Sequence, residues 1–480
     1  MWEKFGVVEN MEDAGQEPRI LTKWIVTEKT DDNGEHRVKA RLVVLGNMEE
    51  GLPSIQTQSP TCGKDTVRLL LTVAASYGWE AVMIDLTNAY FQAELSKREG
   101  GLYLVPPSDI KDDGMIWRVI GNLYGLRDGA ANLRKKAIKH LIQAGGVQSK
   151  VDPCLIIFRK QGVTQGAATI WVDDYFVVGI PEVRQYIQKK IQEEFTVGRI
   201  VEDEFKYLGI KIEVRQDGGF QQHQKEYIDN LEEVEIPIKN SKEDLDEHGL
   251  SVLRHGTGKL NWAAQGTRPE LCFRVAELST HFKNGSVSHL KMINKCIKDV
   301  QSNPVMVQYP KLRNELVIVG FCDTALHNMD DRVSSGGGYI IFLVDKGLRS
   351  APVSWTSTKI KRVVRSSLAA EALIAVECAD AMYYIKAMIG EILKSEVRMV
   401  LVTDSNNLVE SLKSPHPVQE KRLRVDMAAL RKDVTDGVLE IKHCVGSKQV
   451  ADILTKTGGN AELIRRVINQ GSLKGVVEEL

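Results

Sequence analysis

The stretch IWVDDYFVVG, residues 170–179, sets Asp173 and Asp174 side by side between two apolar arms. Both arms are short, β-branched and aromatic, so each reads as a strand, and the acids fall at the hairpin turn between them. A tight hairpin ordinarily uses Asn-Gly or Asp-Gly, because its central residues need positive φ, and here there is no glycine. The adjacent carboxylates also repel, a cost that a divalent cation shared with further acids removes. On this stretch alone, a solvated acidic turn and a cation site are equally consistent.

Asp85 supplies a third acid, at the end of the apolar run Ala81-Val82-Met83-Ile84 and before LTNAYF. A carboxylate at a strand end stands at the rim of a sheet, where several can converge. Three such acids can hold two magnesium ions about 4 Å apart, the arrangement that serves an in-line phosphoryl displacement. Taken singly, Asp85 reads as a cap or turn residue. The 480 residues are too many for one ordinary domain, and 43% hydrophobic residues suffice for two or three cores. With 63 basic and 64 acidic side chains, net charge cannot steer the chain to nucleic acid, so any such binding must use local patches. Seven widely spaced cysteines fit neither a zinc knuckle nor a disulfide framework and point to a reducing compartment. The charged N-terminus and the lack of a long apolar run predict a soluble, intracellular protein that is not secreted and has no membrane partner.

Strand and helix patterns alternate without repeats. Residues 22–47 predict a hairpin about the turn signal Asp31-Asp32-Asn33-Gly34, and helices are expected in 66–78, 131–146 and 181–195. A helix-rich stretch runs from about 218 to 308, and a new strand at NELVIVGFCD places a domain boundary near residue 312.

The last third repeats the carboxylate logic. Asp323 closes ELVIVGFC, Asp404 closes MVLVT, Glu371 lies in a helix opened by Ser366-Ser367, and Asp452 lies in SKQVADILTK, where Ser447 can cap a helix. Each alone reads as a cap or surface charge; four in this order do not read as chance.

These residues carry a resemblance. Asp85 with LTNAYF, Val172-Asp173-Asp174, LYGLRDG, KYLGIKI and KARLVVLGN resemble, in order and spacing, the reverse transcriptase of copia-type LTR retrotransposons. FCDTALHNMDD, SSGGGYIIFL, VSWTSTK, SSLAAEALIAVECA, TDSNNLV and VADILTK resemble the ribonuclease H domain fused to it. The resemblance implies an α+β and α/β multidomain chain: a right hand of fingers and palm over 18–217 and thumb or connection over 218–312, then a ribonuclease H-like domain over 313–480. It implies two Mg2+ ions (or Mn2+) per active site, held by Asp85, Asp173 and Asp174 in the palm and by Asp323, Glu371, Asp404 and Asp452 in the nuclease. Lys39 and Arg41 are then candidates to grip triphosphate, Tyr90 to exclude a 2′-hydroxyl, and Tyr207-Leu208-Gly209 to hold the primer. Without the resemblance, Tyr90 reads as core and Lys39 and Arg41 as a solvated strand face. The implied partners are an RNA template, a DNA primer, RNA–DNA hybrid and deoxynucleoside triphosphates, together with a dimer mate or other retrotransposon proteins. The implied location is cytoplasmic, in a virus-like particle, with the nucleus as a second compartment.

After LYGL the family usually reads Lys-Gln-Ala-Pro-Arg, whereas this chain has Arg127-Asp128-Gly129-Ala130-Ala131. The expected nucleotide-side glutamine is thus Asp128, and a carboxylate facing triphosphate is unfavourable unless turned away, protonated or metal-bound. A non-catalytic relic that binds RNA or hybrid is therefore the alternative function, although all seven acids favour the enzyme. Ala369 stands two residues before Glu371, where the family usually has an acid. His443 reads as a proton shuttle or, more commonly, a half-buried strand histidine. Arg134, Lys135, Lys136 and Lys139 share one helix; Lys359, Lys361, Arg362 and Arg365 precede the nuclease helix. Both runs read as solvated faces, and proximity to a metal site favours hybrid binding for the second. The family's capsid, protease and integrase regions are not matched, so a processed product, a truncated copy or a gene fragment is expected.

Overall fold

The computed structural model describes residues 2–13, 15, 19–30, 36–49, 56–98, 100–110, 114–237, 240–313, 315–326, 335–416, 418 and 420–479. The chain forms two compact units, one of Met1–Cys62 with Ala81–Glu202, the other of Gly63–Glu80 with Asp203–Leu480. The segments expected as thumb and nuclease both fall in the second unit, as does 63–80 from within the expected fingers and palm.

The first unit carries two sheets. In the five-stranded sheet the order is Val8–Glu12, Met115–Val119, Tyr103–Val105, Arg19–Thr30 and His36–Val44. Its long hairpin pairs Arg41 with Ile25 and Lys39 with Thr27; the turn signal Asp31–Gly34 lies outside the described residues. The six-stranded sheet runs Val197–Glu202, Glu80–Leu86, Asp174–Gly179, Val163–Trp171, Leu155–Lys160 and Gly146–Gln148. Helices Gly129–Gln143 and Pro181–Glu194 bring Leu133, Ala137, Leu141, Ile187 and Ile191 into one core with Val82, Ile84, Tyr175 and Val177 of the sheet. Because strand side chains alternate between faces, burying Ile84 and Tyr175 toward the helices turns Asp85 and Asp174 to the opposite, open face.

In the second unit, the strands Glu204–Tyr207, Ile210–Val214, Phe220–His223 and Val307–Tyr309 form one sheet in that order. Within the helix-rich stretch, Lys225–Asp229, Glu247–Gly266, Cys272–Ser279 and Val287–Ser302 are helical. The helix Glu247–Gly266 stops before Pro269, whose ring excludes a continuous helix into Cys272–Ser279. A five-stranded sheet follows in the order Ser350–Lys359, Gly336–Val344, Val317–Ala325, Arg398–Thr403, Leu439–His443, its first two pairings antiparallel and its last two parallel. The helix Ser367–Leu393 packs on it across Gly320, where a Cβ would come within 2.7 Å of Cys378 Sγ and Met382 Sδ. All seven cysteines are buried outside any disulfide, and no described helix is long and apolar enough to cross a membrane.

Candidate functional site

In the first unit the acidic hairpin is tighter than the sequence suggests. Asp174 is already the first residue of its strand and pairs with Trp171, so the turn consists of Val172 and Asp173. The missing glycine is replaced by strain, since Val172 takes φ 55°, a region β-branched residues avoid. Leu86 N–H donates to the Asp173 carbonyl at 3.1 Å, fixing the turn beside the end of the Asp85 strand. Burial, then the charges of Asp173 and Asp85 and a hydrogen bond with the Asp85 carboxyl, push Asp174 up to about 7. Burial and Asp85 also raise Asp173, against the lowering influence of its own backbone N–H, Lys39 and Arg41. Lys39 and Arg41 therefore lie within electrostatic reach of this turn. These oxygens are hard donors on crowded carboxyls, the chemistry that Mg2+ or Mn2+ fits.

Tyr90 sits in the short 3-10 turn Ala89–Gln92, half-buried, its hydroxyl raised by burial and by Asp173. Its ring lies 4.6 Å from that of Tyr124, which feels Asp173, Arg41 and Asp85 in turn. Tyr124, in LYGL, is a site neighbour that the sequence reading passed over in favour of Asp128. Asn122, fully buried, donates from Nδ2 to the carbonyls of Tyr90 (3.0 Å) and Gly129 (2.9 Å), tying the ring's backbone to the start of the next helix.

Asp128 is withdrawn from any nucleotide. It is fully buried and accepts from Arg98 Nη2 at 2.7 Å and Asn132 Nδ2 at 2.9 Å. Burial would raise its carboxyl, but the bonds and charge of Arg98, with Ser96 and Asn132, hold it below the usual range. Arg98 also donates from Nε to Glu49 at 2.7 Å. The nucleotide-contact expectation at 128 is thus corrected: the side chain turns inward because a buried guanidinium is there to meet it.

In the second unit, oxygens of Asp323, Glu371 and Asp404 all lie within 4.8 Å of one another, the one trio so close among the described residues; Asp85, Asp173 and Asp174 do not converge to that degree. Asp323 lies inside its strand, which continues to Ala325 rather than ending at the acid. Glu371 is in the first turns of Ser367–Leu393, capped by Ser366 Oγ accepting from Ala369 N–H at 3.2 Å. Asp404 directly follows Arg398–Thr403. Burial, then the neighbouring carboxylates, push Asp323 up to about 7 and Glu371 up to about 8, while hydroxyls of Thr455 and Thr324 oppose the shift. Glu371 Oε2 is buried without a hydrogen-bond partner. A divalent cation fits this centre, supplying the charge and the ligand that the buried oxygens lack.

Asp452 does not join the trio. It pairs with Lys456 and accepts from Asn460 N–H at 3.1 Å. No α-helix is capped by Ser447; the segment makes two 3-10 turns, Gly446–Lys448 and Asp452–Leu454, and between them Gln449 Nε2 donates to the Cys322 carbonyl at 2.9 Å. His443 is exposed at its strand end, with Nε2 3.2 Å from the Asp404 carbonyl. Leu208 and Gly209 form a hairpin turn with φ 52° and 69°, but Tyr207 and Leu208 are 1% and 8% exposed, so of the three expected at a primer only Gly209 is presented to solvent. Lys359, Lys361 and Arg362 are exposed, Arg362 paired with Asp426 at 2.8 Å. On the helix Gly129–Gln143, Arg134 and Lys136 are engaged with Pro153 and Gln92 carbonyls, leaving Lys135 and Lys139 exposed.

Residues 3–242, half of the chain, match the family model described as reverse transcriptase (RNA-dependent DNA polymerase). The Retrovirus-related Pol polyprotein from transposon RE1 of Arabidopsis thaliana is 27% identical over 457 residues, covering 90% of this chain and 30% of its own length. The corresponding polyprotein from transposon TNT 1-94 of Nicotiana tabacum is 23% identical, covering 92% and 35%. The chain spans about a third of the length of these relatives. Among solved structures, the foamy viral protease-reverse transcriptase dRH in complex with double-stranded DNA shares the fold at TM-score 0.57 and 14% identity, covering 92% of this chain and 67% of that chain. The foamy viral protease-reverse transcriptase in complex with RNA/DNA hybrid gives TM-score 0.50 at 13% identity, covering 92% and 52%.

Proposed function

Because the chain belongs to the reverse transcriptase (RNA-dependent DNA polymerase) family, as a segment of a copia-type retrotransposon Pol polyprotein, we propose that it copies RNA into DNA and hydrolyses the RNA of RNA–DNA hybrids. Synthesis is assigned to Asp85, Asp173 and Asp174, and hydrolysis to Asp323, Glu371 and Asp404 with Asp452 at the margin. The carrying observation is the acidic hairpin itself, its strained Val172-Asp173 turn held by Leu86 N–H at the end of the Asp85 strand, with Asp85 and Asp174 on the open face. Divalent cations held at these carboxylates, Mg2+ or Mn2+, would supply Lewis-acid activation of the attacking oxygen and neutralise the leaving one.

The chain's own residues do the rest. Lys39 and Arg41, on the strand His36–Val44, present positive charge toward the Asp173 turn and bind the triphosphate of the incoming deoxynucleotide. The Tyr90 ring, braced by Tyr124, occupies the space a ribose 2′-hydroxyl needs. Gly209, exposed at the hairpin turn, and the exposed run Lys359, Lys361 and Arg362 meet primer and hybrid backbone. Fingers and palm correspond to 18–217, the thumb or connection to 218–312 and the nuclease to 313–480; the partners are RNA template, DNA primer and hybrid.

The test is metal-dependent primer extension on poly(rA)/oligo(dT) beside hybrid cleavage, both with the full chain. Asp173→Asn is expected to abolish extension and spare cleavage, and Asp404→Asn the reverse; loss of both activities in each variant, with an unchanged melt, sinks the two-site assignment. In the same assay Tyr90→Val raises the ratio of ribo- to deoxynucleotide efficiency if the ring is a gate. An unaltered ratio removes Tyr90 from the pocket.

A further inference from the structure

Two threonine hydroxyls divide the oxygens of the nuclease carboxylates between the protein and the space they enclose. Thr455 Oγ1 donates to Asp323 Oδ2 at 2.5 Å, and Thr324 Oγ1 donates to Glu371 Oε1 at 2.7 Å. Thr324 is next to Asp323 but its hydroxyl binds Glu371, and Thr455, three residues after Asp452, binds the Asp323 carboxyl at a shorter distance than the 3.0 Å to the Asp452 carbonyl. The acids come from a strand and a helix, and the second hydroxyl from beside a 3-10 turn, so the bonds lock three elements in register. Thr455 is fully buried and Asp323 only 3% exposed, so solvent cannot replace this bond. One oxygen of each carboxylate is thereby spoken for. On Glu371 the other, Oε2, is buried and without a partner, in the cluster shared with Asp404.

We propose that Thr455 and Thr324 are positioning residues of the nuclease, fixing the rotation of Asp323 and Glu371 so that one oxygen of each is presented to a divalent cation. The inference rests on the nuclease reading above. A carboxylate that must be reoriented when its cation arrives binds it more weakly, and loss of such an outer hydrogen bond ordinarily costs about 10- to 100-fold in metal affinity. Thr455→Val keeps the shape and removes the donor. Thr324→Val should act more weakly, because the Thr324 main-chain N–H also bonds Glu371.

The experiment is Mn2+ titration calorimetry on the full chain carrying Asp173→Asn, which disables the palm cation site, with a thermal melt of each variant. Thr455→Val is expected to weaken Mn2+ binding about 10- to 100-fold, with hybrid cleavage recovering at saturating Mn2+ and Thr455→Ser restoring the parent affinity. Unchanged affinity in Thr455→Val overturns the proposal, as does a Thr455→Ser variant no better than the valine. Should Thr455→Val not fold, Thr324→Val decides, a several-fold weakening supporting the proposal and parent affinity overturning it. Asp404→Asn separates the two levels. If it abolishes the Mn2+ signal while both valine variants leave it intact, only the positioning role falls; if it leaves the signal intact, the nuclease reading falls and takes the positioning role with it.

Discussion

Asp128 is where a single side chain changes the reading most. Met by Arg98 at 2.7 Å and fully buried, it is one half of an ion pair whose other half also holds Glu49. Removing one partner of a buried pair leaves an uncompensated charge and costs about 3 to 5 kcal/mol. Asp128→Gln, the family's own residue, is therefore expected to lower the denaturation midpoint and to leave the Michaelis constant for deoxynucleotides where it was. Steady-state kinetics beside urea unfolding check this, and a lowered constant with unchanged stability would return Asp128 to the pocket. Glu371 makes a second prediction, through pH. Its folded pKa is raised from 4.5 to about 8, so between those values the folded chain holds a proton that the unfolded chain releases. Stability then falls as pH rises through that window and levels off above it; Asp323, raised to about 7, adds to the fall. Melting temperatures of the metal-free chain from pH 5 to 8.5 should decline, and millimolar Mg2+ should recover most of the loss at the upper end by taking the proton's place. A rising or Mg2+-insensitive profile contradicts the raised carboxyls.

At the scale of the element, the acidic hairpin shows how a strand pair buys geometry with strain. A two-residue turn with positive φ at its first central position ordinarily has glycine there, and Val172 stands at φ 55° instead. Such a conformation costs on the order of 1 to 3 kcal/mol in a β-branched residue, whereas asparagine tolerates it. Val172→Asn is expected to raise stability by about 1 kcal/mol in urea unfolding. A loss instead would mean that the valine methyls make packing contacts worth more than the strain they impose. The same hairpin sets the face of its acids: alternation from Tyr175 and Val177, buried against the helices, turns Asp174 outward next to Asp85.

Across the whole molecule, the second unit joins what sequence punctuation separates. Arg268, fully buried, binds Glu270 at 2.6 Å and the Val300 carbonyl at 2.8 Å, and Arg465 of the helix Ala461–Gln470 reaches the same Glu270 at 3.2 Å and also pairs with Asp299. Arg68 stacks 3.5 Å over the Trp355 ring while donating to the carbonyls of Gln265 and Val353. Residues on both sides of the boundary expected near 312 are thus partners in the same buried charge network. Calorimetry of the full chain should show them unfolding in one transition, which Arg268→Ala lowers as a whole, by about 3 to 5 kcal/mol. Two separate transitions, only one of them shifted, would restore the boundary as an energetic one.

The acids themselves were legible in the chain, because strand alternation, helix capping and like-charge adjacency are short-range patterns, and their order carried the family. Asp85, Asp173, Asp174, Asp323, Glu371 and Asp404 all stand on or beside the elements that local pattern assigns them. Partners were not legible. Arg98 lies 30 residues from Asp128, and Thr455 lies 132 from Asp323, distances over which no periodicity signals a contact. Tertiary packing alone decided that Asp128 turns inward, that Tyr207 is buried beneath its turn, that Asp452 is held by Lys456 apart from the trio, and that Glu371 Oε2 is buried without a hydrogen-bond partner. The physical reason is that burial removes water as an alternative partner, so each polar atom's role is set by whichever group the fold happens to bring within hydrogen-bond reach.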